Sequence, residues 1–527
     1  MDTPANAAAS ELLLDDDALG RIALGYLERV VAIDSQSDER SQSVPTTEGQ
    51  RRLAEEVGAI FSGHGGAVEH DAFANVIASR PGRGRGRGAA PLALLVHLDT
   101  ARGTRAVDRL HVVPGWRGDP IPYPANPSLR VGVETYPAVA DFVGQDVVHG
   151  PGDRPFGLDD KLGLTHLLMV SHLLAEHPEL PCPPLLLIGR PDEEVGRVAA
   201  IEGLAELLAA RGVRSGYTVD GILPFEVNVE NFNAAHATLT FAGRPAALPA
   251  DAVAIRLALG GVNTHGATAR AEGSRSATRL AAELLARLDG AGTPALAIAF
   301  ASAEARDCDA ELVVATSAGA VDAVIAAGQG VIAPHAPRGA SFAASPPEPA
   351  PAEADGAAAD MLAFVARFLA SRPGFTLAAE DSEGRDGYSA PYRARPVEGG
   401  LALDVRLRDF TPAGLGARKR HVAEAARAAG AACELVDQYE NMGPRLADRP
   451  ELVAWAQTAA ARVGVRSRVL PIRGGTGVDP FLDRGVALAN LGTGYFAPES
   501  EKELTSRQMM ARHARWLLAL LAIAAEA

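Results

Sequence analysis

The sequence predicts an α/β protein with a doubly wound sheet, interrupted by an inserted α+β region. Three observations predict it. Apolar runs alternate with helical patterns and close on acidic residues, as in Leu92–Val96 before His97-Leu-Asp99 and Pro184–Gly189 before Arg190-Pro-Asp192-Glu193-Glu194. A further run closes on Thr218-Val-Asp220-Gly221, and Gly157-Leu-Asp159-Asp160-Lys161 opens a helical pattern. After Asn233 the character changes, and the α/β pattern returns from Ala413.

Bulk properties bound the rest. A chain of 527 residues is too long for one core, so more than one domain is expected. Acidic residues outnumber basic ones, 65 to 50, for a formal charge of -15. That balance argues against a nucleic-acid or anionic-membrane partner and suits a cation-holding site. Cys182, Cys308 and Cys433 form no CxxC pair, so neither a disulfide framework nor a thiolate zinc site is expected. Met1–Asp17 lacks the basic flank and apolar core of a signal peptide, and no apolar run reaches membrane-spanning length. A cytoplasmic protein is expected.

Taken in order, Leu19–Ile33 has helical spacing, and Thr47 with Gln50 signals a capping box for the next helix. Asn75–Ser79 and Leu92–Val96 read as paired strands, with the Gly-Arg alternation of Gly82–Gly88 as their hairpin tip rather than an RNA-binding tract. The Pro-rich stretch Arg105–Pro155 is expected to wrap the rim of the site. Asp160–Glu176 is an amphipathic helix whose His166 and His172, with His177 beyond, read as packing or surface residues. Ala237–Phe241 and Ala252–Ala258 read as strands, and Ser276–Leu288 as a helix. Ser345–Glu353 reads as an exposed connector. The domain division is therefore 1–231, an inserted domain at 232–410, and a return to the first domain at 411–527.

The acids carry the chemistry. Adjacent glutamates at the end of a buried strand are costly unless a cation faces them. A metal ion supplies that charge, leaving the neighbouring carboxylate to move protons.

These residues resemble the peptidase T group of tripeptide aminopeptidases, among the co-catalytic zinc metallopeptidases. The shared stretches include Val44-Pro-Thr-Thr-Glu-Gly-Gln50, His97-Leu-Asp-Thr100, Gly157-Leu-Asp-Asp-Lys-Leu-Gly163 and Pro191-Asp-Glu-Glu-Val-Gly196. Further on come Tyr217-Thr-Val-Asp-Gly221, Val229-Glu-Asn-Phe-Asn-Ala-Ala235, Asn263-Thr-His265, Arg408-Asp-Phe410, Tyr439-Glu-Asn-Met442 and Pro471-Ile-Arg-Gly-Gly-Thr476. Their order is the signal, and much of Ala291–Glu398 lies outside it.

The resemblance implies a doubly wound zinc-peptidase catalytic domain with an inserted α+β lid. It implies that His97, Asp159 and Asp220 hold one zinc, that Asp159 bridges to a second held by Glu194, and that Glu193 is the general base. Asp99 would orient the His97 imidazole. Asn263 and His265 would meet the substrate and the oxyanion, and Arg408 with Arg473 would clamp a peptide carboxylate. Lids of this family commonly dimerise. The enlarging material of 291–398 is expected to cover the pairing surface, which favours a monomer over a homodimer.

The largest departure is Phe496, which stands where the family has the last histidine ligand of the second zinc. No histidine occurs between His421 and His513 to replace it. One tightly held zinc is expected, with a second only if Glu499 or Glu501 swings in. Gly477 stands for an aspartate of the family, and His265-Gly-Ala for His-Pro-Gly. The expected function is zinc-dependent hydrolysis of short peptides or related amides. The alternatives that Phe496 leaves open are a metal-depleted pseudoenzyme and a relative recruited to non-peptide amide chemistry.

Overall fold

The structure is a computed structural model and describes residues 15–249, 251–266, 268, 272–303, 306–371, 385 and 387–527. It divides into two compact units. One comprises Met1–Pro127, Val131–Asn231 and Met442–Ala527, the other Ser128–Arg130 and Phe232–Asn441.

The first unit is built on an eight-stranded sheet ordered Ala67–His70, Val76–Arg80, Leu185–Arg190, Leu92–His97, Ser215–Gly221, Ala487–Gly492, Glu226–Asn228 and Arg468–Val469. Its four central strands, Leu185–Arg190 through Ala487–Gly492, run parallel. Leu92–His97, Leu185–Arg190 and Ala487–Gly492 are buried along their whole lengths, which explains why the first two read as apolar runs. The helices Asp16–Val31, Leu158–Glu176 and Arg507–Ala524 pack on one another. The open ends of parallel strands in such a sheet are where α/β proteins place their ligands.

Two local expectations are overturned here. Val76–Arg80 does not pair with Leu92–His97, because Leu185–Arg190 lies between them, antiparallel to the first and parallel to the second. Gly84–Gly88 is therefore not a hairpin tip but a short 3-10 turn anchored by the bridge from Arg83 to Cys182. Gly86 is buried there, and a Cβ would come within 2.2 Å of the Cys182 carbonyl oxygen, so close approach explains this glycine. Thr47 does precede the helix Glu48–Gly63, yet its hydroxyl donates to the Gln36 carbonyl and makes no cap. Gln50 turns instead to Asp192, donating to Oδ1 at 2.7 Å.

His166 lies in the packing of this unit. Its ring stacks on His513 at 4.9 Å, and its Nε2 donates to the Thr493 carbonyl at 2.8 Å. His513 receives the Phe225 N–H at Nε2 and donates from Nδ1 to the Met509 carbonyl. The bond from Phe225 thus fixes His513 in the neutral form, and His166 faces it across the stack. Burial holds His166 down to about 4 and, with His166 beside it, His513 well below the ordinary imidazole value. In the unfolded chain both take up a proton near pH ~6.5. Between there and pH 4 the unfolded state binds more protons, so stability is present above pH ~6.5 and is lost as pH falls. We predict that this pair lowers the thermal midpoint as pH falls from 7 to 4, a contribution read by comparing parent and variant. The slope should be shallower in His166→Gln, whose amide can keep the Thr493 bond. Melts with equal slopes would refute the assignment.

The second unit holds a four-stranded antiparallel sheet ordered Tyr388–Val397, Gly400–Asp409, Asn233–Ala242 and Ala432–Tyr439. A second sheet runs Ala295–Ser302, Asp309–Ser317, Ala252–Gly260 and Ser341–Ala344, with Glu348–Pro349 added beside Ala252–Gly260. One apolar core draws on both sheets and on the helices Ala277–Gly290, Ala357–Ser371 and Pro412–Ala428, through residues such as Leu239, Leu257, Leu284, Phe364 and Leu403. Described residues between 291 and 398, among them Phe300, Leu312, Val324 and Phe364, thus belong to this core. The exposed Ser345–Glu353 stretch is not a bare connector either, being pinned by that short pairing.

The return to the first unit falls at Met442, not at residue 411. Ala432–Tyr439 pairs along Asn233–Ala242, and Leu415, Val422 and Ala426 enter the second unit's core. A helix and a strand are as acceptable to one α/β neighbour as to another until their partners are known.

Candidate metal centre

The first unit gathers its acids at the ends of the central parallel strands. His97 ends one strand, and its imidazole Nε2 lies 2.9 Å from Asp159 Oδ1 and 3.4 Å from Asp220 Oδ1. Asp159 stands at the start of the helix Leu158–Glu176, and Asp220 near the end of Ser215–Gly221. Donor atoms of His97, Asp159 and Asp220 all lie within 4.8 Å of one another. A second group, Asp159, Glu194 and Glu499, meets the same limit and shares Asp159 with the first.

Electrostatics shows what this packing costs without a cation. Burial first, then repulsion from Glu499 and Asp159, pushes the Glu194 carboxyl well above the ordinary range. Burial likewise pushes Asp220 up to about 7, against the pull of His97. Burial would lower His97, but Asp220, Asp159 and Asp99 outweigh it and raise the imidazole. Glu194 Oε1 is sealed from water with no hydrogen-bond partner. An orphaned carboxylate oxygen beside two more carboxylates and an imidazole fits a divalent cation, which takes oxygen and nitrogen donors.

A surrounding frame fixes these groups. His97 Nδ1 donates to the Asp99 backbone carbonyl at 2.9 Å, with Asp99 Oδ1 at 3.4 Å. The Asp99 carboxylate accepts the backbone N–H of both Glu193 and Glu194, at 2.9 and 3.1 Å. Asp99 therefore orients the imidazole and also the turn that carries the glutamates. Asp192, left-handed at φ 55°, is held by the Thr46 N–H, the Thr46 hydroxyl and Gln50. Asp160 accepts the His97 N–H at 3.1 Å and ties that strand to the helix bearing Asp159.

Arg190 and Glu499 were the less legible members. Arg190 is 2% exposed, with Nη2 3.4 Å from Glu193 Oε1. Its guanidinium fills the space at Gly477, where a Cβ would come within 2.5 Å of Nη2. An aspartate there would require that guanidinium to shift and would sit on backbone left-handed at φ 58°. A basic residue closing a buried apolar strand was the available signal. Phe496 is packed against Tyr136, ring centroids 5.3 Å apart, with its backbone paired to Leu504. Glu499 brings a third carboxylate within 4.8 Å of the Asp159 and Glu194 donor atoms. Glu501 does not; it is 3% exposed and faces Lys502 Nζ at 3.7 Å. The Arg105–Pro155 stretch meets this same loop, with Tyr136 on Phe496 and the Tyr123 hydroxyl donating to the Lys502 carbonyl at 3.0 Å.

Of the remaining expected residues, Arg473 lies in the first unit, partly exposed. Asn263, His265 and Arg408 lie in the second unit. There Arg408 Nη1 donates to the Ala235 and Leu407 carbonyls, and its guanidinium sits 5.5 Å from the Tyr439 ring centre.

A doubly wound domain together with an α+β insertion is also the architecture of solved peptidases. In sequence the chain is similar, as a divergent relative, to peptidase T. It is 31% identical to peptidase T of Listeria monocytogenes serotype 4b over 220 residues, which is 41% of this chain and 52% of that protein. The chain thus spans about half the length of the curated relatives it matches. In structure it resembles the aminopeptidase PepT of Bacillus cereus, with a TM-score of 0.50 and 14% identity, covering 96% of this chain and 99% of the other. A tripeptidase of Staphylococcus aureus gives 0.50 and 15%, with coverage of 96% and 99%. No protein-family profile matches the chain. Among the described residues no helix is long and apolar enough to cross a membrane.

Proposed function

We propose that the protein is a metal-dependent hydrolase of short peptides or related amides. The observation that carries this reading is the pair of donor groups joined through Asp159, with Glu193 beside them. Bound divalent ions, zinc at the His97 position, would supply Lewis acidity and a water acidic enough to attack near neutral pH. The chain's own residues do the rest. Glu193 takes the proton of the attacking water and returns it to the leaving amine. Arg190 holds the Glu193 carboxylate from one side, while the Asp99 carboxylate fixes its backbone. Arg473, in the same unit as the donor groups, binds a substrate carboxylate, a role suited to the guanidinium fork.

A screen of di- and tripeptides and of N-acyl and N-carbamoyl amino acids, on protein reloaded with zinc or manganese after chelation, tests the reading. Turnover abolished by chelator and restored by metal is expected. Metal binding without turnover of any substrate would favour a pseudoenzyme instead.

A further inference from the structure

We propose that Glu499 completes an all-oxygen cation position with Asp159 and Glu194, and that this position favours a hard divalent ion such as Mn2+ relative to the His97 position. The proposal rests on the metal-dependent reading of the same site and specifies which ion each half of it takes.

The loop that carries Glu499 is built to present it. Ala497 and Glu499 flank Pro498 with φ of 58° and 54°, left-handed values that non-glycine residues adopt at a cost. Hydrogen bonds within the loop hold that conformation. The Ser500 hydroxyl donates to the Ala497 carbonyl, and the Glu503 N–H donates to the Ser500 carbonyl. The Glu499 N–H donates to Glu503 Oε1 at 3.0 Å. The other oxygen of Glu503 accepts the N–H groups of Phe156 and Gly157, at 2.8 and 2.9 Å. Those residues lead directly into Leu158 and Asp159. One buried carboxylate thus fixes the Glu499 loop to the segment bearing the shared ligand. Glu194 supplies the independent sign of a missing partner, since its Oε1 is buried and unbonded.

The two positions differ in donor chemistry. The first has an imidazole and two carboxylates; the second has three carboxylates and no nitrogen. Imidazole suits zinc, whereas carboxylate oxygen suits manganese and magnesium. Zinc outranks manganese at any one donor set, so the difference appears as a ratio between positions. Loss of the nitrogen narrows zinc's advantage at the second position.

The test is metal titration of chelator-stripped protein, first with one equivalent of Zn2+ and then with Mn2+, followed by calorimetry and manganese electron paramagnetic resonance. The parent should bind one zinc and then one manganese. Glu499→Ala should keep the zinc, which also shows that it is folded, and lose manganese affinity by at least the ~100-fold at the top of the range for outer-shell changes. Glu499→His should bind two ions and raise the zinc-to-manganese preference of the second position by tenfold or more, on the order expected for an added imidazole. Unchanged manganese binding in Glu499→Ala, or no second ion in the parent, would overturn the proposal while leaving the hydrolase reading intact. Failure to bind even the first zinc would overturn both.

Discussion

Glu193→Gln should reduce turnover by about 10²–10⁴-fold, the usual contribution of a positioned general base, while leaving metal content unchanged. Glu193 belongs to neither donor group, so its loss removes a proton acceptor and no ligand. Glutamine is the informative replacement because of Arg190. That guanidinium is almost fully buried, and Glu193 Oε1 is its carboxylate neighbour. Truncation to alanine would leave the cation without an acceptor on that side, and an uncompensated buried charge costs about 3–5 kcal/mol. Glutamine keeps an oxygen at the same position and removes only the basicity. A parallel assay of metal content and kcat decides the matter. Full activity in Glu193→Gln would show that another group takes the proton.

How much of this was legible depends on which interactions are local. The strand ends bearing His97, Glu193, Glu194 and Asp220 could be read because each buried parallel strand announces itself as an apolar run, and a charge at its end stands out. Partner choice could not. Val76–Arg80 and Leu92–His97 are close in sequence, and only the arrival of Leu185–Arg190 from far along the chain separates them. The second unit boundary failed for the same reason, since nothing within Ala432–Tyr439 names Asn233–Ala242 as its neighbour. Glu499 was harder still. Its direction depends on left-handed backbone at Ala497 and Glu499, where no glycine marks the turn. It depends also on Glu503, whose partners lie in Phe156–Leu158. Counting histidines revealed the gap at Phe496, but it could not show which glutamate faces Asp159.

Asp159→Asn should strip both metal positions at once and reverse the order of stability between the metal-free and metal-loaded forms. Asp159 is the residue common to the two donor groups. Its charge also adds to the repulsion that raises Glu194 and Asp220 above the ordinary carboxyl range, after burial. In metal-free protein near neutral pH, removing that charge relieves repulsion, and asparagine still offers an oxygen to His97 Nε2. The metal-free variant should therefore melt at a higher temperature than the metal-free parent. With metal the order inverts. Binding stabilises the folded parent by RT ln(1 + [L]/Kd), about 2.7 kcal/mol at a hundredfold excess over Kd, whereas the variant gains little. Asp220→Asn and Glu499→Ala should each remove one ion and keep part of the gain, which separates a shared ligand from a private one. Thermal melts of the three variants, with and without zinc and manganese, read the pattern directly. An Asp159→Asn protein whose melting temperature rises with metal as far as the parent's would show that Asp159 bridges nothing.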